Sequence, residues 1–175
     1  MLGAPRLIAV AGDVLVPIEE LRDFLRIDDA ASDVEIAGYL DASAGEIERR
    51  TGYRLGRQTV EVLGDTWADF RHLLVGPVRA IVSARYQDRA GVWQDLPADA
   101  LELFGAELEQ GVRAAPGRLL PLVRLDCAVI AVRLDVGAET IDKVLRWALL
   151  LMCRAKLDDV AADVGHLLVD HRINP

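Results

Sequence analysis

Three stretches of the chain place apolar residues three and four positions apart, and between the second and third the spacing drops to two. The first begins at Pro17, a residue tolerated at a first helical position, with Glu19 and Glu20 in the opening turn and Ile18, Leu21, Phe24 and Leu25 along one side. This predicts a helix over 17–26. Ser32-Asp33-Val34-Glu35 then has the form of a capping box, in which the serine hydroxyl accepts from the third amide and the glutamate reaches back to the cap. Ile36, Leu40, Ser43, Ala44, Ile47 and Thr51 continue at helical spacing until Gly52 offers a stop, which predicts a helix over 33–51. In the third stretch Thr140 stands as a cap before Ile141, Val144, Leu145, Ala148, Leu149, Leu151, Met152 and Ala155. That apolar surface is wide enough to be buried on two sides and predicts a helix over 140–157.

The middle of the chain reads as strands. Gln58-Thr59-Val60-Glu61-Val62-Leu63 and Ala80-Ile81-Val82-Ser83-Ala84-Arg85-Tyr86 are rich in β-branched residues and are separated by the turn formers Gly64-Asp65 and Gly76-Pro77. Asp88-Arg89-Ala90-Gly91 predicts a hairpin turn returning through Val92-Trp93-Gln94, and Leu101-Glu102-Leu103-Phe104 a further short strand. From Ala128 to Val136, Val129, Ala131 and Arg133 alternate with Ile130, Val132 and Leu134, and Gly137 closes the strand. The expected fold class is therefore α+β: a small helical bundle, two N-terminal helices plus a long C-terminal helix, with an inserted antiparallel β-hairpin region over 57–136. Residues 1–16 read as an arm or short extended segment, 17–157 as the main domain and 158–175 as a tail with one turned segment at Val160, Val164, Leu167 and Leu168.

Length and composition agree with a globular chain. At roughly 100–200 residues per domain, 175 residues make one domain with a small appendage. With 52% hydrophobic and 27% charged residues, disordered, collagen-like and disulfide-scaffold classes are disfavoured. The longest apolar run, Trp147 to Cys153, is far short of the ~20 residues of a membrane span, and the first sixteen residues lack a basic region followed by a long apolar one. A cytoplasmic protein with no membrane association is expected. Cys127 and Cys153 both lie in apolar surroundings and read as buried free thiols. The formal charge of −8 argues against a basic grip on nucleic-acid phosphates. Eighteen arginines against two lysines point to a GC-rich genome and carry no functional content.

Candidate chemistry is sparse. The acidic run Asp28-Asp29-Ala30-Ala31-Ser32-Asp33 lacks the glycine and distal bidentate glutamate of a calcium loop and reads as a solvated connection. His166 and Asp170 stand four apart without further ligands nearby in the sequence, and His72 stands alone. The three serines, Ser32, Ser43 and Ser83, are accounted for as a cap, a helix position and a strand position. No nucleophile elbow, phosphate-binding glycine loop or zinc-protease helix motif occurs, so no catalytic, cofactor or metal residue is assigned and the protein reads as a non-enzyme. Trp67, Trp93, Trp147, Phe70, Tyr86 and Phe104 read as packing residues, because base-stacking platforms come with net positive charge.

The order of these pieces resembles the phage head–tail connector (adaptor) family. The resemblance runs from Ile18-Glu19-Glu20-Leu21-Arg22-Asp23-Phe24-Leu25-Arg26-Ile27-Asp28 through a second helix ending Ile47-Glu48-Arg49-Arg50-Thr51-Gly52-Tyr53. Gln58-Thr59-Val60-Glu61-Val62 looks like that family's first strand, and Val75-Gly76-Pro77-Val78-Arg79-Ala80-Ile81 like its L-P-x-x-P-V-x-x-V stretch. Tyr86-Gln87-Asp88-Arg89-Ala90-Gly91 is similar to its Y-x-D-x-x-G hairpin, and Val132-Arg133-Leu134-Asp135-Val136-Gly137 with the helix after it to its closing elements. The resemblance covers Pro17 to Lys156 and rests on shared order, each motif alone being common.

The resemblance implies a structural ring, about twelve-fold and closed by heterologous contacts, between the portal of a phage-like capsid and the stopper or tail-terminator neck proteins, with DNA passing through its channel without specific binding. It places the protein in the host cytoplasm during assembly and then in the neck of a phage, prophage or gene transfer agent particle. It also implies partner contacts through the C-terminal helical part, for which Trp147, Leu151, Arg154, Leu167, Leu168, His171 and Ile173 are the candidates. Both chain ends are candidate assembly arms. Two other readings stay open: another neck protein, such as a stopper or tail-completion factor, and a small cytoplasmic enzyme using His166 or the Asp28 cluster.

Overall fold

The computed structural model describes residues 1–11, 15–27 and 33–173. The Ser32 cap and the acidic run from Asp28 to Ser32 lie outside the described residues. Within them, strand β1 (Arg6–Val10) leads into helices α1 (Ile18–Leu25) and α2 (Asp33–Thr51). Strand β2 (Gln58–Gly64) follows, then a 3-10 turn at Trp67–Arg71, β3 (Val78–Gln87) and the short β4 (Trp93–Asp95). Strands β5 (Leu101–Ala106) and β6 (Glu109–Ala114) form a hairpin, and β7 (Ile130–Val136) runs into helix α3 (Lys143–Leu157). A short helix α4 (Gly165–Leu168) and a 3-10 turn, Val169–His171, end the described chain.

The expected small bundle with an inserted hairpin region is overturned by this topology. Among the described residues the β part is a five-stranded antiparallel sheet in the order β1-β2-β7-β3-β4, accompanied by a separate two-stranded sheet of β5 and β6. The sheet thus recruits a strand that precedes the first helix, and the α-helices among the described residues number four rather than three. The physical reason is non-local pairing. β1 lies on β2 with Leu7 opposite Val60 and Val10 opposite Gln58, some fifty residues along the chain. The central strand β7 pairs on both sides, with Leu134 opposite Val60 of β2 and opposite Ile81 of β3.

Two apolar clusters hold the molecule. The helices bury one, in which Leu21, Leu25, Ile36, Ile47, Leu145, Leu149, Cys153 and Leu168 are sealed from solvent. One face of the sheet buries the other, with Val60, Val62, Ile130, Val132, Leu134 and Val136 packed against Phe70, Leu73, Leu101 and Val112. The opposite sheet face is ionic. Glu61, only 7% exposed, accepts from Arg133 at 3.0 Å and lies 3.5 Å from Arg85. Asp135 draws Arg57 and Arg79, the latter also paired with Glu139 at 2.7 Å. This division follows from the period-two alternation of strand side chains.

The seam between the two clusters is built from backbone. Arg54 N–H donates to the Gly76 carbonyl at 2.7 Å, Gly137 N–H to Pro77 at 2.8 Å and Ile173 N–H to Thr51 at 2.8 Å. The tail therefore folds back on the end of α2, where Gly52 takes a φ of 75°. Helix α3 is capped by Asp142, whose carboxylate accepts from Val144 N–H at 2.7 Å and Leu145 N–H at 3.4 Å, and not by Thr140 as expected.

The two cysteines differ in kind. Cys153 is buried, as expected, and burial pushes its thiol above the ordinary range. Cys127 is exposed, contrary to expectation, because the connection before β7 turns that side chain outward. A thiol-reactive chromophore at neutral pH is expected to titrate one cysteine in the native protein and two after denaturation, since the thiolate is the reacting species. Two fast native equivalents would contradict the packing of α3.

Candidate assembly interface

The residues that sequence reasoning nominated for partner contact fall into three environments. On α3, Trp147 and Leu151 lie one turn apart, flanked by Val144 a turn earlier and Arg154 a turn later, so all four share a helix side. Trp147 is 48% exposed and packs edge-to-face on Phe24 of α1, with ring centroids 5.5 Å apart. Leu151 is half-buried. Arg154 donates to the Leu25 carbonyl at 2.8 Å and to Asp158 at 2.7 Å, tying α3 to the C-terminal end of α1. Arg146 pairs with Glu20 across the same helices. This group is a stiff, partly apolar surface.

The remaining nominees belong elsewhere. Leu168 is sealed in the helical core and presents nothing to a partner in this conformation, while Leu167 packs half-buried against that core. His171 lies against Tyr53 with centroids 5.8 Å apart, and its Nε2 is 3.4 Å from Asp142. The Ile173 side chain reaches the backbone around Gly52 and Gly76. Thus the structure gathers Trp147, Leu151 and Arg154, and separately gathers His171 and Ile173 at the seam.

Two further apolar surfaces are present, one within the N-terminal segment expected as an assembly arm and one in a connection that the sequence reading did not single out. Along β1, Leu7, Ile8 and Val10 are all exposed on the outer strand of the sheet. In the connection from β6 to β7, Leu119 and Leu125 are almost fully exposed and Leu122 largely so. The visible signal was their regular spacing of three around Pro121, a pattern of extended rather than helical chain.

The chemistry of the surface is otherwise plain. Among the described residues no three His, Cys, Asp or Glu side chains converge to hold a metal, and no helix is long and apolar enough to cross a membrane. His166 is exposed on α4, whereas Asp170 lies beyond that helix in the following 3-10 turn. Near the start of β3, Glu139 is held below the usual carboxylate range, first by its hydrogen bond from Arg79 and then by that cation's charge. On α2, the carboxyl of Glu46 is likewise held down, foremost by its bond from Lys156 at 3.1 Å. These are structural ion pairs spread over the molecule, with no convergent cleft among them.

Neither a known protein family's sequence model nor a curated protein matches the chain. Solved structures do. A chain in the virion of a native gene transfer agent particle is similar with a TM-score of 0.77 and 25% identity, over 100% of this chain and 96% of that one. A chain in the neck of an empty gene transfer agent particle, computed with C6 symmetry, is similar with a TM-score of 0.76 at 23% identity, over 100% and 96% of the two chains. A third, from the neck of a native particle computed with C12 symmetry, gives 0.74 at 20% identity over 99% and 97%. From end to end, then, the chain is built on a fold that occurs in the virion and neck of gene transfer agent particles.

Proposed function

We propose that the chain is a structural, non-enzymatic neck component of a gene transfer agent or related phage-like particle, and specifically its head–tail connector (adaptor). It acts as a ring of about twelve copies between the portal and the tail-side stopper or terminator proteins. The observation that carries this reading is the match to a virion chain over 100% of this sequence and 96% of that chain, at 25% identity. The order of motifs from Pro17 to Lys156 supports the adaptor role in particular.

The physical properties suit such a part. Each subunit carries a formal charge of −8, so a ring of about twelve would carry about −96. An acidic ring around a channel repels phosphates, and DNA passes without adhering. Ring closure is served by rigid subunits presenting apolar patches on different sides, which is the distribution of Trp147, β1 and the β6–β7 connection.

Gold-labelled antibody fragments raised against the purified chain locate it in particles by electron microscopy. Label at the head–tail junction is the expected result. Label along the tail shaft or over the capsid faces, or its absence from particles, overturns the reading.

A further inference from the structure

The helices and the sheet are two bodies joined along a narrow seam. Their apolar clusters have no residue in common, and among the described residues no helix lies packed along a strand of the sheet. The seam is a line of backbone bonds, to which Gly76 N–H adds one to the Gly52 carbonyl at 3.3 Å and Ala138 N–H one to the Arg54 carbonyl at 3.4 Å. Beside that line the Gln58 amide of β2 donates to Glu48 of α2 at 3.0 Å. Open clefts flank it. One of about 450 Å³ separates Leu7 and Val10 of β1 from Leu40 and Ala44 of α2, and another of about 470 Å³ lies between Leu55-Gly56 and Thr140-Ile141. Close packing is what stops two bodies from moving against each other. Along these flanks it is missing, so the bodies have room to turn about the seam.

The last described residues run across this seam. Leu168 anchors the segment in the helical core. Beyond it His171 lies against Tyr53 and faces Asp142, the cap of α3, and Ile173 N–H is bonded to the Thr51 carbonyl of α2. The Ile173 side chain meets both bodies: it would stand 3.4 Å from a Cβ added at Gly52, past the end of α2, and 3.4 Å from one added at Gly76, at the entry to β3. Arg172 reaches onto the sheet body, where it shares a cavity with His72 and with Glu107 and Glu109 at the turn between β5 and β6. Those two carboxylates attract its charge. One atom of the segment is unsatisfied, since the buried Nδ1 of His171 has no hydrogen-bond partner. A polar atom left in this way regains water on exposure, so release of the segment costs less than release of a fully bonded one.

We infer that residues 169–173 are a strap that locks the helical body against the sheet body, and that releasing it turns the seam into a hinge. Fastened, the strap makes the subunit one rigid piece. Released, it lets the bodies turn about the line of Gly52, Gly76 and Gly137, where a few small residues at element ends absorb the change in backbone angles. The inference concerns a single copy of the chain and stands apart from the connector reading.

The test uses the full-length chain with one spin label on Cys127, exposed on the sheet body, and one on Ala42→Cys, at an exposed position of α2; Cys153 is buried and stays unlabelled. Pulsed dipolar spectroscopy of this protein is expected to give a single narrow distance peak. Adding Arg172→Glu with Ile173→Ala is expected to replace that peak by a broad distribution and to remove hydrogen-exchange protection from the residue 173 amide, while the amides of α3 and β7 stay protected. Val160→Ala, outside the strap, should leave the peak unchanged. A broad distribution before the strap is altered overturns the lock. A narrow peak that persists after the residue 173 amide has lost protection overturns the hinge, and an amide that stays protected overturns the fastening by Arg172 and Ile173. Loss of protection throughout α3 or β7 makes the segment part of the core packing and overturns the inference as well.

Discussion

Replacing Leu149 by alanine is expected to be among the most damaging single truncations in the helical half of the molecule, costing about 3 to 4 kcal/mol. Leu149 has no exposed surface and sits in the cluster to which all four helices contribute. Deleting three buried carbons loses their transfer energy and leaves a cavity that α1, α2 and α4 cannot all move in to fill. At about 2 to 4 °C per kcal/mol for a chain of this size, Tm should fall by about 10 °C. Val160→Ala is the control. That valine is 61% exposed just beyond α3, and its truncation should stay within about 0.5 kcal/mol. Calorimetry or denaturant melts of the two variants side by side check the helical core; equal effects would contradict it.

Gly137→Ala is expected to cost about 3 kcal/mol or more, through strain and collision together. Gly137 has a φ of 104°, where side chains are strained, and an added Cβ would stand 2.0 Å from the Gly56 carbonyl oxygen and 2.6 Å from its carbon. Neither backbone can withdraw freely. Gly137 N–H is bonded to Pro77 at the end of β7, so relief of the collision must disturb the junction that sends the chain into α3. Gly117 separates the two contributions. Its φ is 74° and nothing lies within 4 Å of an added Cβ, so Gly117→Ala should show the conformational strain alone, about 1 to 2 kcal/mol. If the two alanine variants melt alike, the close approach of Gly56 and Gly137 is absent in solution.

The elements that sequence pattern revealed are those whose burial is decided locally. In α2, Ile36, Ser43, Ala44, Ile47 and Thr51 fall on one helical stripe and are the residues that the structure buries, with Leu40 of the same stripe half-buried. In β7, the positions Ile130, Val132 and Leu134, expected to share a face, are buried together while Arg133 meets Glu61 on the other side. What stayed hidden depends on distant partners. The short extended segment expected within residues 1–16 is β1, whose five residues are all exposed; what the sequence could not show is its hydrogen bonding to β2, which makes it the outer strand of the sheet. Strand β6 runs unbroken through Gly111, a residue that reads in the sequence as a strand breaker; the fold needs that glycine because a Cβ there would lie 2.1 Å from the Arg71 carbonyl oxygen.

The same distinction governs the interface residues. Trp147 and Leu151 could be read as one face because helical spacing places them so, and Arg154 lies on the same side. Leu168 could not be told from a surface residue, since α4 has four residues and its apolar pattern never completes a repeat. Thr140 and Asp142 are both good caps by residue type, and only the position of the first turn of α3 favours the carboxylate. The outward leucines of the β6–β7 connection carried a regular spacing, but its significance lies in their exposure, which a sequence does not display.

The most direct test of the connector role is deletion of the gene in its native host, with particles examined by electron microscopy and the gene restored from a plasmid as control. Separate heads and tails, rejoined on restoration, are the result that the connector role predicts. Normal tailed particles from the deletion strain would contradict it.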